Sequence, residues 1–369
     1  MPLRFSNYPQ GVYLRSEEGK KWHKYWILDL NIMLLAGIAL VVIYDFTNGF
    51  HDAADMVATA IASRTMSPGR SIFIVCLFTF LGPFLGGLAV ANTIGEFVNI
   101  SDVDSQLAQN VVLAAILAAI SYNLITWKFG LPSSSSNSLT SGLVGAAILA
   151  LGSGYVNWGF ASLAKGEVVG YTKILVGLAF SPLAGFIVGF FVMKLFLKAL
   201  KRFTSKSKKL FLLAQYATVS WLAFSHGTND SQKGMGIIGM LLLANHVYPE
   251  FTVPTWVILL CASSITLGTM FGGWSIIKTV GFGIYDVKLL HSIADQISAA
   301  AVILGSSMIG APTSTTQVVT TSLMGVGAAE RPKHVRWAVA GSILKGWLLN
   351  IPISFILGVL YCFLLMKIF

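Results

Sequence analysis

A chain of 369 residues that is 55% hydrophobic and only 11% charged, with a mean hydropathy of +0.74, lies outside the composition of water-soluble globular domains. Its net charge of +10 does not make a nucleic-acid surface, because most of the positive charge falls in short loops between apolar runs. Cys76, Cys261 and Cys362 all sit inside apolar runs without metal-ligand spacing, so they read as packing residues and imply no disulfide framework.

Residues 1–26 form a polar tail with no evident cleavable signal, and the apolar run that follows is expected to stay as a span. That run covers 27–46, meets the polar stretch Asn48-Gly-Phe-His-Asp52-Ala-Ala-Asp55, and resumes to about residue 63. It is too long for one straight crossing of a hydrocarbon core of roughly 30 Å. The expectation is a helix interrupted at Asn48-Gly49, with unwound backbone lining a protein-enclosed cavity. Spans at 71–91 and 107–127 follow, with an acidic loop between them. Gly130-Leu-Pro-Ser-Ser-Ser-Ser-Asn137 then opens an apolar stretch to residue 151, and a span at 174–195 runs into the basic segment 196–209.

The order then repeats. An apolar run at 210–243 carries His226-Gly-Thr-Asn229-Asp230-Ser-Gln-Lys233, and spans at 256–280 and 291–309 lead to Gly310-Ala-Pro312-Thr-Ser-Thr-Thr316-Gln317. A basic loop and a final span to residue 366 complete it. An offset of 178 carries Gly49 onto Gly227, Asp52 onto Asp230 and Asp55 onto Lys233, and an offset of 180 carries Pro132 onto Pro312. Five segments per half is an odd number, so the second half should enter the membrane from the opposite side. With both termini outside, 15 basic residues face inward against three outward, although the five in the amino-terminal tail then lie on the disfavoured side. The expected fold is an all-α polytopic membrane protein of two inverted five-segment repeats, whose interrupted helices meet at a mid-membrane site. Its parts are the tail 1–26, a first repeat 27–195, the basic linker 196–209 and a second repeat 210–369.

Ionised groups at membrane depth cost several kcal/mol and need a reason. Asp52 and Asp230 sit beside an amide or imidazole at equivalent repeat positions, which is the oxygen-rich setting of a hard cation. Asn48, Asp55 and Asn229 join them as candidate cation ligands, with Asp52 and Asp230 as the metal-binding carboxylates. His51 and His226 are weaker signals, since glycine-flanked histidines often satisfy only local backbone. Asp45 and Lys345 read as well as structural or interfacial residues as they do as functional ones, and Asp295, a turn or so from a loop, reads more readily as structural. The clusters Ser133, Ser134, Ser135, Ser136 and Thr313, Ser314, Thr315, Thr316 read as helix amino-termini, where free N–H groups and the helix dipole favour an oxyanion. Ordinary capping needs one hydroxyl, not four. No Walker loop, HExxH or Cys/His cluster is present on which a membrane enzyme could be built.

These two long motifs and the two Gly-x-Pro-hydroxyl segments resemble the inorganic phosphate transporter (PiT) family over nearly all of residues 27–366. The resemblance implies a multi-pass transporter of the plasma or bacterial inner membrane, a homodimer, using Na+ or H+ as coupling ion and no cofactor. Its substrate would be inorganic phosphate, or sulfate as in some relatives, with an anion channel as the remaining alternative. Asp52 and Asp230 would be the cation-site carboxylates and the hydroxyl clusters the phosphate cradle, with Gln232 of the second motif added to the anion set. Asp55 departs from the asparagine usual in the family. It is expected either to pair with Lys233 or to shift coupling from Na+ towards H+.

Overall fold

The computed structural model describes residues 32–199, 208–272 and 277–369; the tail 1–26 and residues 200–207 of the basic linker lie outside the described residues. Within them the regular structure is helical apart from one antiparallel bridge between Val98 and Val156. In a lipid environment this is the economical solution, since a helix satisfies its own backbone polar groups. The first half contains α1 (Ile32–Ala62), α2 (Pro68–Leu85), α3 (Ala89–Glu96), α4 (Ser105–Lys128), α5 (Ser135–Ala150) and α6 (Gly170–Ala199). The second contains α7 (Lys208–Ala244), α8 (Thr255–Phe271), a π-helical turn at Lys278–Phe282, α9 (Leu289–Met308), α10 (Thr315–Glu330) and α11 (Trp337–Ile368). Six of these, α1, α2, α4, α6, α9 and α11, are long and apolar enough to cross a membrane.

The helices pair reciprocally between halves. α1 packs on α8 while α7 packs on α2, and α6 packs on α10 while α11 packs on α5. Small residues allow this closeness. A Cβ at Gly49 of α1 would stand 2.0 Å from the Ile265 carbonyl oxygen, and one at Gly227 of α7 would stand 2.1 Å from that of Thr79. The same holds at Gly145, where the Phe355 oxygen would be 2.4 Å away, and at Gly325, where the Phe186 oxygen would be 2.1 Å away.

This corrects one expectation. α1 and α7 run unbroken through both polar motifs. The glycines there are contact points for a neighbouring backbone, and the polar side chains find partners sideways on other helices, so nothing drives unwinding. At 31 residues α1 is about 46 Å long, an excess over the hydrocarbon thickness that tilt or projection accommodates. The interruptions occur instead before the hydroxyl clusters. Gly130 (φ 64°) and Gly310 (φ 72°) end α4 and α9 in the left-handed region, a proline follows, and the chain re-enters as α5 and α10. These helices have 16 residues each, about 24 Å, and are too short to span alone.

Among the described helices α7 carries the largest number of buried polar side chains, and it passes through the centre of the bundle. It packs against α1, α2, α3, α4, α8 and α9, and residues 225–242 are buried without exception. A polar helix can occupy membrane depth here because protein, not lipid, surrounds it.

Candidate functional site

The two motifs meet where α1 passes α7. Asp52 and Asp230 are 2% and 0% exposed, and ligand atoms of Asp52, Asp230 and His226 lie within 4.8 Å of one another. Asp230 is crowded with donors. Its Oδ2 accepts from Asn48 Nδ2 at 3.3 Å and lies 3.4 Å from His226 Nδ1. Its Oδ1 takes the Lys233 ammonium, the Asn229 amide and, at 3.5 Å, the Thr315 hydroxyl. Asp52 Oδ1 lies 3.2 Å from His51 Nδ1 and accepts from Thr316 Oγ1 at 3.1 Å. The same Thr316 hydroxyl is 2.7 Å from Asp55 Oδ2. One O–H cannot serve two carboxylates at full strength, so Asp52, Asp55 and Thr316 concentrate negative charge in an oxygen-lined spot suited to a hard cation. Asn48 Oδ1 and Asp55 Oδ1 are buried there without a hydrogen-bond partner.

The hydroxyl clusters form the amino-termini of α5 and α10. In each, the second hydroxyl is the cap: Ser134 Oγ accepts from the Asn137 N–H at 3.1 Å, and Ser314 Oγ from the Gln317 N–H at 3.4 Å. The two ends are joined, since Ser136 Oγ donates to the Thr313 carbonyl at 2.9 Å. Ser133 Oγ lies 2.9 Å from Thr126 Oγ1 and 3.5 Å from His51 Nε2, which ties the α5 entrance to α1. Ser135 is buried in the first turn of α5, and Thr313 Oγ1 is buried without a partner. Thr315 and Thr316 turn towards the carboxylates, so the expected cation and anion residues form one continuous cluster.

Three assignments change. Lys233 pairs with Asp230, three residues earlier on the same helix, and Asp55 with Thr316; the expected Asp55–Lys233 pair is absent. Asn229 holds the α9–α10 turn. Its Nδ2 donates to the Thr313 carbonyl at 2.9 Å, while its Oδ1 accepts from the Thr313 N–H at 3.2 Å and from Ser307 Oγ at 3.3 Å. That leaves its oxygen little capacity for a cation. Gln232 caps α3, its Oε1 accepting from the N–H groups of Val90 and Ala91 at 2.8 and 3.1 Å and its Nε2 donating to the Thr228 carbonyl. Its amide is thus engaged with α3 and with its own helix. Lys345 is exposed on α11, whereas Asp45 and Asp295 are buried.

Two residues stand closer to the site than the sequence suggested. His226, a weaker signal in the sequence, completes a trio with Asp52 and Asp230. Asn350 of α11 accepts from Ser138 Oγ at 2.9 Å and donates to the Ser134 carbonyl at 2.7 Å, fixing the first turn of α5. A lone amide in an apolar run was the available signal.

A model of the "Phosphate transporter family" matches this chain twice, over residues 48–210 and 197–358. The chain belongs to the phosphate transporter family. A protein of Bacillus subtilis (strain 168) named "Probable low-affinity inorganic phosphate transporter" is 38% identical over 352 residues, covering 92% of this chain and all of the relative. A protein of the same name in Rhizobium meliloti (strain 1021) is 34% identical over 334 residues, covering 90% and 96% respectively. A solved structure of a sodium-dependent phosphate transporter shares the fold, with a TM-score of 0.76 and 24% identity over 92% of this chain and all of that one. This phosphate transporter is therefore a multi-pass protein of the cell membrane and not an enzyme. Neutral hydroxyls at helix amino-termini are donors of the kind that can hold an oxyanion and let it leave.

Proposed function

We propose that this phosphate transporter is a symporter in which Na+ binds between Asp52 and Asp230 and phosphate binds at the joined amino-termini of α5 and α10. One observation carries this reading: Thr315 and Thr316, in the first turn of α10, donate to Asp230 and Asp52. A hydroxyl has one hydrogen and two lone pairs. While no Na+ is bound, that hydrogen is held by the carboxylates. Once Na+ neutralises them, the threonine oxygens can ligate Na+ and the hydrogens can turn to phosphate oxygens. Each ion then lowers the cost of bringing the other into a low-dielectric cavity, and the coupling is reciprocal. Na+ is favoured by the oxygen-rich donor set and by the likeness in fold to a sodium-dependent phosphate transporter.

The two halves, divided at the linker 196–209, are proposed to enter the membrane from opposite sides. The loop charges and the reciprocal helix pairing support this. Uptake of labelled phosphate into proteoliposomes tests the function. An imposed Na+ gradient should drive accumulation and a H+ gradient should not. Thr316→Val should raise both the half-saturating Na+ concentration and the KM for phosphate, each by about tenfold, the scale of one hydrogen bond to a charged group. Accumulation that ignores both gradients would identify a channel. Drive by H+ alone would reassign the cation, and competition by sulfate would reassign the anion.

A further inference from the structure

Asp45 plays no part in the site described above, although it lies seven residues before Asp52 and so on the same face of α1. It is 1% exposed, and neither carboxylate oxygen has a hydrogen-bond partner, nor has the adjoining Tyr44 hydroxyl. The Cys261 thiol, a weak donor, lies close enough to act on it. On α7 the residue pressed against this carboxylate is Gly234, where a Cβ would come within 2.3 and 2.5 Å of the two oxygens. Gly234 directly follows Lys233, whose ammonium sits on Asp230. A buried acid without a cation thus lies next to a buried cation on a carboxylate that Na+ would need.

We propose that Lys233 is an internal cation with two berths, Asp230 and Asp45: Na+ arriving at Asp230 displaces the ammonium, which crosses beside Gly234 to Asp45. The inference rests on the symport reading. The lysine stem has four flexible carbons, and the residue next to Lys233, Gly234, carries no side chain that would keep the Asp45 carboxylate away from α7. Without a second berth, displacement would strand an ammonium in a low-dielectric interior, at a cost that would oppose Na+ binding. With Asp45 available, Lys233 exchanges one carboxylate for another: the unpaired Asp45 carboxyl holds a proton in this interior and releases it as the ammonium arrives, so one Na+ enters as one H+ leaves. Asp45 is then a positioning residue for the coupling step, distinct from the Na+ ligands.

Asp45→Asn, nearly isosteric, removes the second berth. In proteoliposomes the Na+ concentration for half-maximal phosphate uptake should rise about tenfold, with the KM for phosphate at saturating Na+ unchanged. Asp45→Asn combined with Lys233→Met should show the Na+ dependence of Lys233→Met alone, because no ammonium remains to be moved. A purely structural role for Asp45 predicts instead equal loss at every Na+ concentration and additive effects in the double variant. The Na+-dependent rise in Tm of the purified proteins reads the same shift without requiring transport. An unshifted half-saturating Na+ concentration in Asp45→Asn, or additivity in the double variant, overturns the proposal. Wild-type uptake that ignores Na+ would instead overturn the symport reading itself, so the two failures are distinguishable.

Discussion

Residues 48–55 of α1 and 226–233 of α7 occupy equivalent positions in the two halves, yet they carry different chemistry. Asn48 stands opposite His226, His51 opposite Asn229, and Asp55 opposite Lys233; only Gly49 with Gly227 and Asp52 with Asp230 are kept. His51 reaches the α5 entrance through the side chain of Ser133, whereas Asn229 grips the α10 entrance through the backbone of Thr313. The α7 motif balances its aspartate with its own lysine, and the α1 motif holds two acids. What is common to both halves is the packing: each glycine meets a neighbouring carbonyl at nearly the same separation. The bundle is symmetric where backbones touch and asymmetric where ions would bind.

The largest test of that asymmetry compares Asp230→Asn with Asp52→Asn. Both should abolish driven phosphate uptake. Only Asp230→Asn removes the partner on which the buried Lys233 ammonium rests, a loss of at most about 3–5 kcal/mol because Asp45 can take the ammonium over, so it should lower the Tm more than Asp52→Asn does. Equal Tm values would show that the two aspartates are equivalent after all. The symmetric part is tested by Gly49→Ala and Gly227→Ala. Each Cβ would overlap a carbonyl oxygen at 2.0 or 2.1 Å, so both should destabilise alike, by about 1–3 kcal/mol in thermal unfolding. A cost confined to one half would break the comparison. The smallest effect belongs to Asp55→Asn, which gives the α1 motif the single acid of its counterpart. The amide oxygen can still accept from Thr316, so stability should hold within about 0.5 kcal/mol while the ion dependence of uptake shifts and the phosphate KM stays.

Much of this was legible in the chain because a duplication leaves matched spacings. The five segments of each half, the paired aspartates and the two hydroxyl entrances all follow from hydropathy and from offsets of 178 and 180. The helix breaks were misplaced because Gly49 and Gly227 look like interruptions in one dimension. Their partners, Ile265 and Thr79, are distant in sequence, and only the fold reveals the close approach. The ion pair was misassigned for a different reason. Asp230 and Lys233 are three apart, a spacing that meets on a helix, and it became readable only once the helix was known to be continuous. Gln232 shows the limit of motif reading: adjacency to Asp230 in sequence sends its side chain a different way, to cap α3.

The exchange of helices between halves also bears on how the protein is made. Gly49 emerges from the ribosome more than 200 residues before Ile265, the group that covers it. At roughly 5–20 residues per second, the face of α1 that carries Asn48 and Asp52 waits on the order of ten seconds or longer for α7 and α8. During that interval the insertion machinery must shelter a polar, incomplete helix. Fragments covering either half alone should therefore be poor substrates for membrane insertion and ready targets for quality-control proteolysis.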